Sequence, residues 1–292
     1  MATNLHTTRS RAQAEHGRAF AILALSSTGN HHATVSEIGG QNYFESLDEG
    51  ARARLRDTAR EMVRFAQTHA TAVMIAPPPS KGGELNTASA VVLHVQSRYF
   101  LITAAHVLRH FEQRKANDPD VQWQVGDVVF DPRERVAFRD ESSDVALLRL
   151  MIPEAPMIRV SVASPVAGWP PPHPTPGQFV LVSGYPALDR QRQGKREIVF
   201  NALSAMFQVT TSGPGYFVCQ WQREFFASFD GPGVPPHGRS LGGISGGPVF
   251  AVGKLSYPLV GVISQFEHDF ELLRIATLDI LPPVDELAGG AA

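Results

Sequence analysis

Apolar and polar residues follow one another along most of this chain in short runs, a pattern that predicts β-strands. Turn-forming residues separate the runs. The predicted strands span residues 71–76, 88–95, 98–103, 121–130 and 145–151 and, further along, residues 179–183, 198–202, 216–221, 249–252, 259–264 and 272–277. This spacing of short strands is typical of an all-β protein built from barrels.

One segment before the strands has helical periodicity instead. Apolar residues recur there at helical spacing while arginines occupy the other faces, which predicts an amphipathic helix over residues 46–68. The residues on its apolar face are Leu55, Ala59, Met62, Val63 and Ala66. We expect this helix to dock against the barrels, with a regulatory arm or a partner surface as the alternative. Residues 1–45 carry one apolar cluster and are expected to be loosely structured or to pack late onto the main body.

Prolines divide the strand-rich region into two halves. The interval 153–178 is rich in proline, whose fixed φ and missing amide proton prevent regular sheet or helix. The predicted organisation is therefore an N-terminal extension over residues 1–70, a first barrel over 71–152, the linker, a second barrel over 179–281 and a tail over 282–292.

Charge and cysteine content narrow the possible functions. With 26 basic and 28 acidic side chains the formal net charge is −2, so no net field draws the protein to nucleic acid or to an anionic membrane. The early apolar stretch at residues 19–25 is short for a signal-peptide core, and no run approaches the roughly 20 apolar residues of a membrane span. Cys219 is the only cysteine, which excludes an internal disulfide, and we expect it in the core. These features favour a reducing, cytoplasmic compartment over export.

Two segments place a residue of catalytic type at the edge of a predicted strand. In residues 101–106 an apolar strand runs into two small residues and then presents the imidazole of His106. In residues 142–150 the carboxylate of Asp144 directly precedes a strongly apolar predicted strand. Each alone has a plain structural explanation, a buried histidine in the first case and a turn aspartate in the second.

A third segment surrounds a serine with glycines. In residues 242–247 two glycines precede Ile244-Ser245 and two follow it, and Pro248 and a predicted strand come next. Glycines at this density usually indicate a flexible loop. They also allow the backbone to fold tightly around the hydroxyl and to direct amide protons at a point near Ser245 Oγ, which is the geometry of an oxyanion hole.

Together the three segments occur in the order His106, Asp144, Ser245, each at the edge of a predicted strand. In this the chain resembles the trypsin-like (chymotrypsin-fold) serine peptidases, in particular the cysteine-poor bacterial trypsin-like peptidase domains. The motifs that match are Thr103-Ala-Ala-His106, Asp144-Val-Ala-Leu-Leu and Gly243-Ile-Ser245-Gly-Gly-Pro248, within a resemblance that covers roughly residues 71–280. The resemblance implies two six-stranded antiparallel β-barrels packed face to face, behind an N-terminal helical segment. It also implies a serine endopeptidase that acts on protein or peptide substrates without a cofactor.

The resemblance assigns a role to each residue. Ser245 would attack the peptide carbonyl, His106 would accept and return its proton, and Asp144 would hold the imidazole. The amides of Gly243 and Ser245 would bind the oxyanion. Ile244 stands where the animal digestive members carry an aspartate that captures a new amino terminus, so we do not expect activation by that particular cleavage.

Specificity residues follow from the same resemblance. Val262, Ile263, Ser264 and Gln265 match the strand that pairs with the substrate backbone and forms one wall of the primary specificity pocket. Arg239, six residues before the serine, falls where trypsin-like enzymes place the side chain at the pocket base. An acidic residue before the scissile bond is one expectation from this position, and a solvated arginine in a loop is the other.

Several alternatives remain open at the level of sequence. The serine loop also fits the elbow of α/β-hydrolase esterases, although that elbow needs a helix after the serine and the order Ser, Asp, His. A catalytically silent relative that only binds peptides is a second alternative. His106 and His110 are spaced for one helix face but lack the glutamate of the zinc hydrolases, so no metal is predicted. Nothing in the sequence sets the oligomeric state.

Overall fold

A computed structural model of the protein describes residues 18–22, 45–164, 169–193, 197–221, 226–230, 240–253, 256–283 and 286–287. The first two described elements are strand β1 (Arg18–Ile22) and helix α1 (Glu49–His69). Two groups of strands follow, one before and one after the proline-rich interval. Among the described residues no helix combines the length and the apolar character that crossing a membrane would require.

The N-terminal half is an antiparallel sheet of seven strands. They are β2 (Ala70–Ala76), β3 (Asn86–Val95), β4 (Arg98–Thr103), β5 (Gln122–Val125), β6 (Val128–Phe130), β7 (Val136–Asp140) and β8 (Val145–Leu150). Their order in the sheet is β6-β5-β2-β3-β4-β8-β7. Because β6 and β7 are edges, this half is an open half-barrel, whereas the resemblance implied a closed six-stranded barrel.

Helix α2 (Ala105–Asn117) fills the core of this half from one side. Leu108 and Phe111 are buried in the same hydrophobic cluster as Trp123, and the rings of Phe111 and Trp123 meet edge to face at 5.7 Å. The sequence pattern did not predict this helix, because its N-cap residue Ala104 makes no side-chain capping bond and therefore leaves no start signal. The helix begins directly after β4, and this position brings His106 to the rim of the sheet.

The C-terminal half is a closed barrel of six strands. They are β9 (Phe179–Gly184), β12 (Leu203–Gly213), β13 (Tyr216–Gln220), β15 (Pro248–Ala251), β16 (Leu259–Glu267) and β17 (Leu272–Thr277). The ring runs β13-β17-β16-β15-β9-β12 and closes where β12 pairs with β13. Outside the ring, β1 pairs with β12 in parallel and with β14 (Phe226–Asp230), and β10 (Gln191–Gln193) forms a hairpin with β11 (Glu197–Val199). This all-β architecture confirms the predicted fold class.

Helix α1 docks on the C-terminal barrel. Asp48 caps its N-terminus by accepting a hydrogen bond from the amide of Ala51 at 2.8 Å. Its buried residues, Ala59, Val63 and Ala66, all belong to the predicted apolar face. The helix contacts β9, β12 and β15, and one turn before its end the ring of Phe65 lies 5.0 Å from that of Phe250. The predicted helix is therefore present and is packed against the fold.

Some strands differ from the prediction for identifiable reasons. The run at 121–130 is split into β5 and β6 by Gly126, whose φ of 55° turns the chain. The strand expected at 198–202 is absent as such. The chain forms the short β11 there and then the longer β12, in which polar residues such as Ser204 interrupt the apolar pattern. Ser204 donates a hydrogen bond to Ser183 at 2.8 Å inside the barrel, so its burial does not require an apolar side chain.

The two halves pack against each other through a shared hydrophobic cluster. Val91 and Ile102 of the N-terminal sheet lie in it together with Phe250, Val262 and Ala276 of the barrel. All five side chains are almost fully buried. A continuous core of this kind fixes the halves relative to each other, and the groups at its rim are therefore held at defined positions.

Candidate functional site

His106 lies in the first turn of α2, at the rim between the two halves. Its Nδ1 is 2.8 Å from Asp144 Oδ2, and its backbone amide donates to Asp144 Oδ1 at the same distance. Because an ionised carboxylate only accepts hydrogen bonds, the proton of the neutral imidazole lies on Nδ1, which leaves Nε2 as a base. The imidazole is 38% exposed, so it is open to a cleft.

Asp144 lies just before β8, in a conformation that few residue types adopt. Its φ is 59°, in the left-handed region where aspartate and asparagine are tolerated better than most residues. Oδ2 accepts a second hydrogen bond, at 2.6 Å, from the hydroxyl of Ser264. Burial is the largest influence on this carboxyl and opposes its ionisation. The hydrogen bonds from His106 and Ser264, with the attraction of the imidazole, outweigh it and hold the pKa of Asp144 below its ordinary value.

Ser245 lies on a tight loop that leads into β15. Gly243 and Gly246 flank it with φ values of 99° and 85°, and a Cβ on either residue would meet backbone oxygen, at 2.7 Å and 2.1 Å respectively. These two glycines are therefore required by conformation and by space. Ser245 Oγ donates to the carbonyl of Ser264 at 3.3 Å, on the barrel side of the cleft. A strand follows the serine, which excludes the helix of an α/β-hydrolase elbow.

The amides of Gly243 and Ser245 are directed by the carbonyls of their own peptide groups. The Gly242 carbonyl accepts a hydrogen bond from the Ala187 amide at 2.6 Å, and the Ile244 carbonyl accepts one from Gly247 at 2.9 Å. In a trans peptide the C=O and the following N–H point in opposite directions, so each amide faces away from the partner of its carbonyl. Across the described part of the chain neither amide has a protein acceptor. The loop thus presents two unused donors on either side of Ile244.

Ser89 of β3 attaches this loop to the N-terminal sheet. Its hydroxyl donates to the Gly243 carbonyl at 2.8 Å and accepts from the Tyr185 amide at 2.9 Å, and its amide donates to the Ser245 carbonyl at 2.8 Å. Ser89 is fully buried. Ser89 was not predicted as a site residue, because its one signal in the sequence is that it is a serine in a largely apolar run.

Two cavities meet at the serine. The larger, of about 550 Å³, is lined by Asp144, Ser264, Gln265 and Arg274 among others. The smaller, of about 400 Å³, extends past the start of β3, α2 and Ala187. His106, Gly242 and Ser245 line both cavities, so the cleft continues on either side of the hydroxyl.

Only some of the other predicted site residues line a cavity. Ser264 and Gln265 line the larger cavity, while the side chains of Val262 and Ile263 are buried in hydrophobic clusters. Arg239 lies outside the described residues. Ile244 is buried in the barrel core, where it packs beside Gly184.

Two further residues have side chains that could act as a nucleophile or a metal ligand, but their contacts are with the fold. Cys219 is buried in the barrel core, and burial raises the pKa of its thiol far above the ordinary range. His110 Nε2 lies 3.2 Å from Asn86 Oδ1. Within the described ranges no three histidine, cysteine or acidic side chains are grouped so that they could hold a metal ion.

A model of the trypsin-like peptidase domain family matches residues 88–262, more than half of the chain. No curated protein matches the sequence. Among solved structures, a protease of M. tuberculosis in its active form is 18% identical with a TM-score of 0.44, and the match covers 79% of this chain and 85% of that one. A thermostable serine protease from an extremophilic microorganism is 15% identical with a TM-score of 0.42, over 72% and 91%. An inactivated protease paralogue of the scabies mite is 19% identical with a TM-score of 0.42, over 74% and 91%.

Proposed function

Given that this chain belongs to the trypsin-like peptidase family and is a serine endopeptidase, we propose that His106, Asp144 and Ser245 are its catalytic triad. The observation that carries the proposal is the imidazole of His106, held by Asp144 in the same cleft wall as Ser245 and its two unused amides. The nucleophile, the base and the oxyanion donors required for acyl transfer therefore line the two cavities that meet at Ser245.

Peptide hydrolysis proceeds in two stages. Ser245 Oγ bonds to the peptide carbonyl carbon while its proton passes to His106 Nε2, and the carbonyl oxygen becomes an oxyanion. As the C–N bond breaks, His106 returns the proton to the departing amine. The acyl group remains on Ser245 until water attacks its carbonyl carbon while passing a proton to the same imidazole. The ester C–O bond then breaks, His106 returns the proton to Ser245 Oγ, and the carboxylic acid departs.

Asp144 supports both stages through charge. Each proton transfer to His106 creates an imidazolium, and an adjacent carboxylate lowers the energy of that cation. The lowered pKa of Asp144 keeps its carboxyl ionised at neutral pH, so the stabilising charge is present throughout the cycle.

The amides of Gly243 and Ser245 receive the oxyanion. Each donor of this kind stabilises the transition state by about 3 kcal/mol, because it is already oriented before the charge develops. The bonds that hold the Gly242 and Ile244 carbonyls fix this orientation in the absence of substrate.

The two cavities correspond to the two sides of the scissile bond. The larger contains Ser264 and Gln265 of β16, the strand expected to pair with the substrate backbone, and receives the acyl side. The smaller lies beside His106 and Ala187 and receives the departing side. An extended peptide laid across Ser245 would occupy both.

One observation favours a second candidate, a silent peptide-binding member of the family. Ser245 Oγ donates to the Ser264 carbonyl, which is a neutral bond that does not activate a nucleophile. At 3.3 Å this bond is long, and rotation about one side-chain torsion redirects the hydroxyl. Catalytic hydrogen bonds often tighten only when substrate binds, so the active assignment is the stronger of the two.

Reaction with a fluorophosphonate probe separates the two candidates. The catalytic assignment predicts covalent labelling of the wild type and none of Ser245→Ala. Ser240→Ala is the matched control, because Ser240 lines the same cavity but its hydroxyl accepts a hydrogen bond from the Gly242 amide, and this variant should still be labelled. Mass spectrometry of the labelled peptide identifies the modified residue. A folded wild type that stays unlabelled, or labelling that survives in Ser245→Ala, would reject the triad.

A further inference from the structure

The larger cavity contains one arginine that has no carboxylate partner among the described residues. Its two acidic residues are both engaged: Glu141 with Arg109 and Arg139, and Asp144 with His106 and Ser264. The cavity's other arginine, Arg274, forms no ion pair with any described residue. A cation left unpaired inside a substrate cleft attracts a complementary charge from the substrate.

Strand geometry directs Arg274 out of the barrel. It lies in β17 between Leu273 and Ile275, which are buried in the barrel core. Successive side chains of a strand point to opposite faces, so Arg274 points away from that core. Its register partner in β16 is Gln265, which lines the cavity on the acyl side of Ser245.

The guanidinium of Arg274 is held in place by an aromatic ring. Its central carbon lies 4.2 Å from the ring centroid of Tyr216, at the start of β13. A stacked guanidinium uses its face for the ring and keeps its N–H donors at the edge, where they match the two oxygens of a carboxylate. Stacking also reduces the conformational freedom that Arg274 would lose on binding.

Two acidic residues of the loop between β16 and β17, or next to it, have contacts of their own. Glu267 accepts a hydrogen bond from Gln265, and Asp269 pairs with His268 on an exposed turn. Neither carboxylate lines the cavity, whereas His268 does. Apart from Arg109, Glu141 and Asp144, whose partners are given above, the charged side chain that lines this cavity is thus Arg274.

We propose that the enzyme prefers substrates with an aspartate or glutamate on the acyl side of the scissile bond, and that Arg274 is the residue that recognises it. The inference rests on the proposed function, since it assumes that the larger cavity receives the acyl segment. It assigns the acidic preference to a residue other than Arg239. The recognised carboxylate binds the edge of the guanidinium while Tyr216 supports its face.

Cleavage of a peptide library, with each of the four positions before the scissile bond varied in turn, measures the preference. At one of these positions we expect glutamate or aspartate to exceed glutamine or asparagine about 10-fold in kcat/KM, because charged and neutral side chains of equal size differ only in the contact with Arg274. The ratio should fall as salt is added, since an exposed charge pair is screened. Arg274→Glu should reverse the preference in favour of lysine, and Arg274→Lys should retain part of it.

Two controls keep this inference separate from the proposed function. Arg54→Glu makes the same change of charge on the exposed surface of α1 and should leave the profile unchanged. Fluorophosphonate labelling of every variant reports the triad independently of substrate sequence. Labelled enzyme with no acidic preference, or with a preference that Arg274→Glu does not alter, overturns the role of Arg274 alone. Absence of both labelling and cleavage in the wild type overturns the proposed function and this inference with it.

Discussion

The two halves of the molecule contribute different kinds of groups to the cleft. The N-terminal half supplies the side chains of His106 and Asp144, whose positions depend on the hydrogen bonds between the two residues. The C-terminal barrel supplies a hydroxyl on a loop whose conformation depends on glycines, together with two backbone amides. One half therefore acts through the chemistry of its side chains, and the other largely through the path of its backbone.

This difference predicts where each half is sensitive. In the N-terminal half a substitution that preserves shape but changes charge should abolish function while the fold persists. In the C-terminal half a substitution that leaves every catalytic side chain in place should still impair function if it alters a peptide group. The variants below test these two expectations, beginning with the largest effect.

Asp144→Asn tests the side-chain half. Asparagine matches aspartate in size and tolerates the left-handed φ of 59°, so the backbone should not be strained. The amide carries no charge to stabilise the imidazolium and can favour the wrong tautomer of His106. We expect kcat/KM to fall about 10⁴-fold, as when a neutral group replaces this carboxylate in other triads. Steady-state kinetics and a thermal melt measure the two properties separately.

Glu141→Gln is the matched control for this substitution. Glu141 also lines the larger cavity, but its ion pairs with Arg109 and Arg139 are partly exposed. Exposed ion pairs contribute up to about 1 kcal/mol to the stability of the fold. The Glu141→Gln variant should therefore stay folded, and its activity should change only a few-fold. Comparable losses in both variants would mean that cavity charge in general, and not the carboxylate beside His106, supports catalysis.

Ala187→Pro tests the backbone half. Proline removes the amide that holds the Gly242 carbonyl, and with it the constraint on the Gly243 amide. The substitution suits the local conformation, because residue 187 begins a 3₁₀ turn and Pro186 before it has an extended ψ of 133°. Complete loss of one oxyanion donor lowers kcat about 10²- to 10³-fold, so loosening it should lower kcat about 10- to 100-fold with KM little changed.

Ala187→Ser separates the amide from the side chain. Serine keeps the backbone N–H, so this variant should retain nearly full activity while Ala187→Pro does not. Ala187→Ser should melt near the wild-type temperature, whereas Ala187→Pro should melt lower, because the amide that it removes is hydrogen-bonded to Gly242. If the proline variant keeps the wild-type kcat, the Gly242 carbonyl does not need this bond, and the orientation of the Gly243 amide must have another origin.

The same contrast explains which parts of the site could be predicted from sequence. Glycines around Ser245 and small residues before His106 are local signals, and both remained visible in the motif pattern. The partners Ser89 and Ala187 are contributed by strands and turns far away in the chain, and neither residue type indicates such a role. Contacts of this kind depend on how the two halves pack, which local periodicity does not encode.

The fold shows the same limit. Strands with strong apolar runs, such as β4 and β17, were predicted with the bounds that the structure has. Strand β7 was missed because all of its residues are only partly buried, so that no clear alternation marks it. The closed and open forms of the two halves were likewise not evident, since closure depends on one pairing, between β12 and β13.

Ser264→Ala gives the smallest expected effect and joins the two halves, because a hydroxyl of the barrel donates to a carboxylate of the N-terminal sheet. Losing this bond should lower kcat/KM about 10-fold and the free energy of unfolding by about 1.5 to 3 kcal/mol, as for a hydrogen bond to a charged group. It should also move the pKa of Asp144 up towards that of the unfolded chain.

The pH dependence identifies the cause of that loss. A lowered pKa of Asp144 contributes stability above the unfolded pKa, about 3.9 for aspartate, and this contribution disappears as pH falls through the folded pKa. The difference in the free energy of unfolding between wild type and Ser264→Ala should therefore have its full size at pH 7 and become smaller towards pH 2. Ser204→Ala, which removes a bond between two buried neutral hydroxyls, should lose the same stability at every pH and keep its activity. Denaturant unfolding between pH 2 and pH 7 measures these differences. If the loss of unfolding free energy in Ser264→Ala is as large at pH 2 as at pH 7, its cause is packing and not the charge on Asp144.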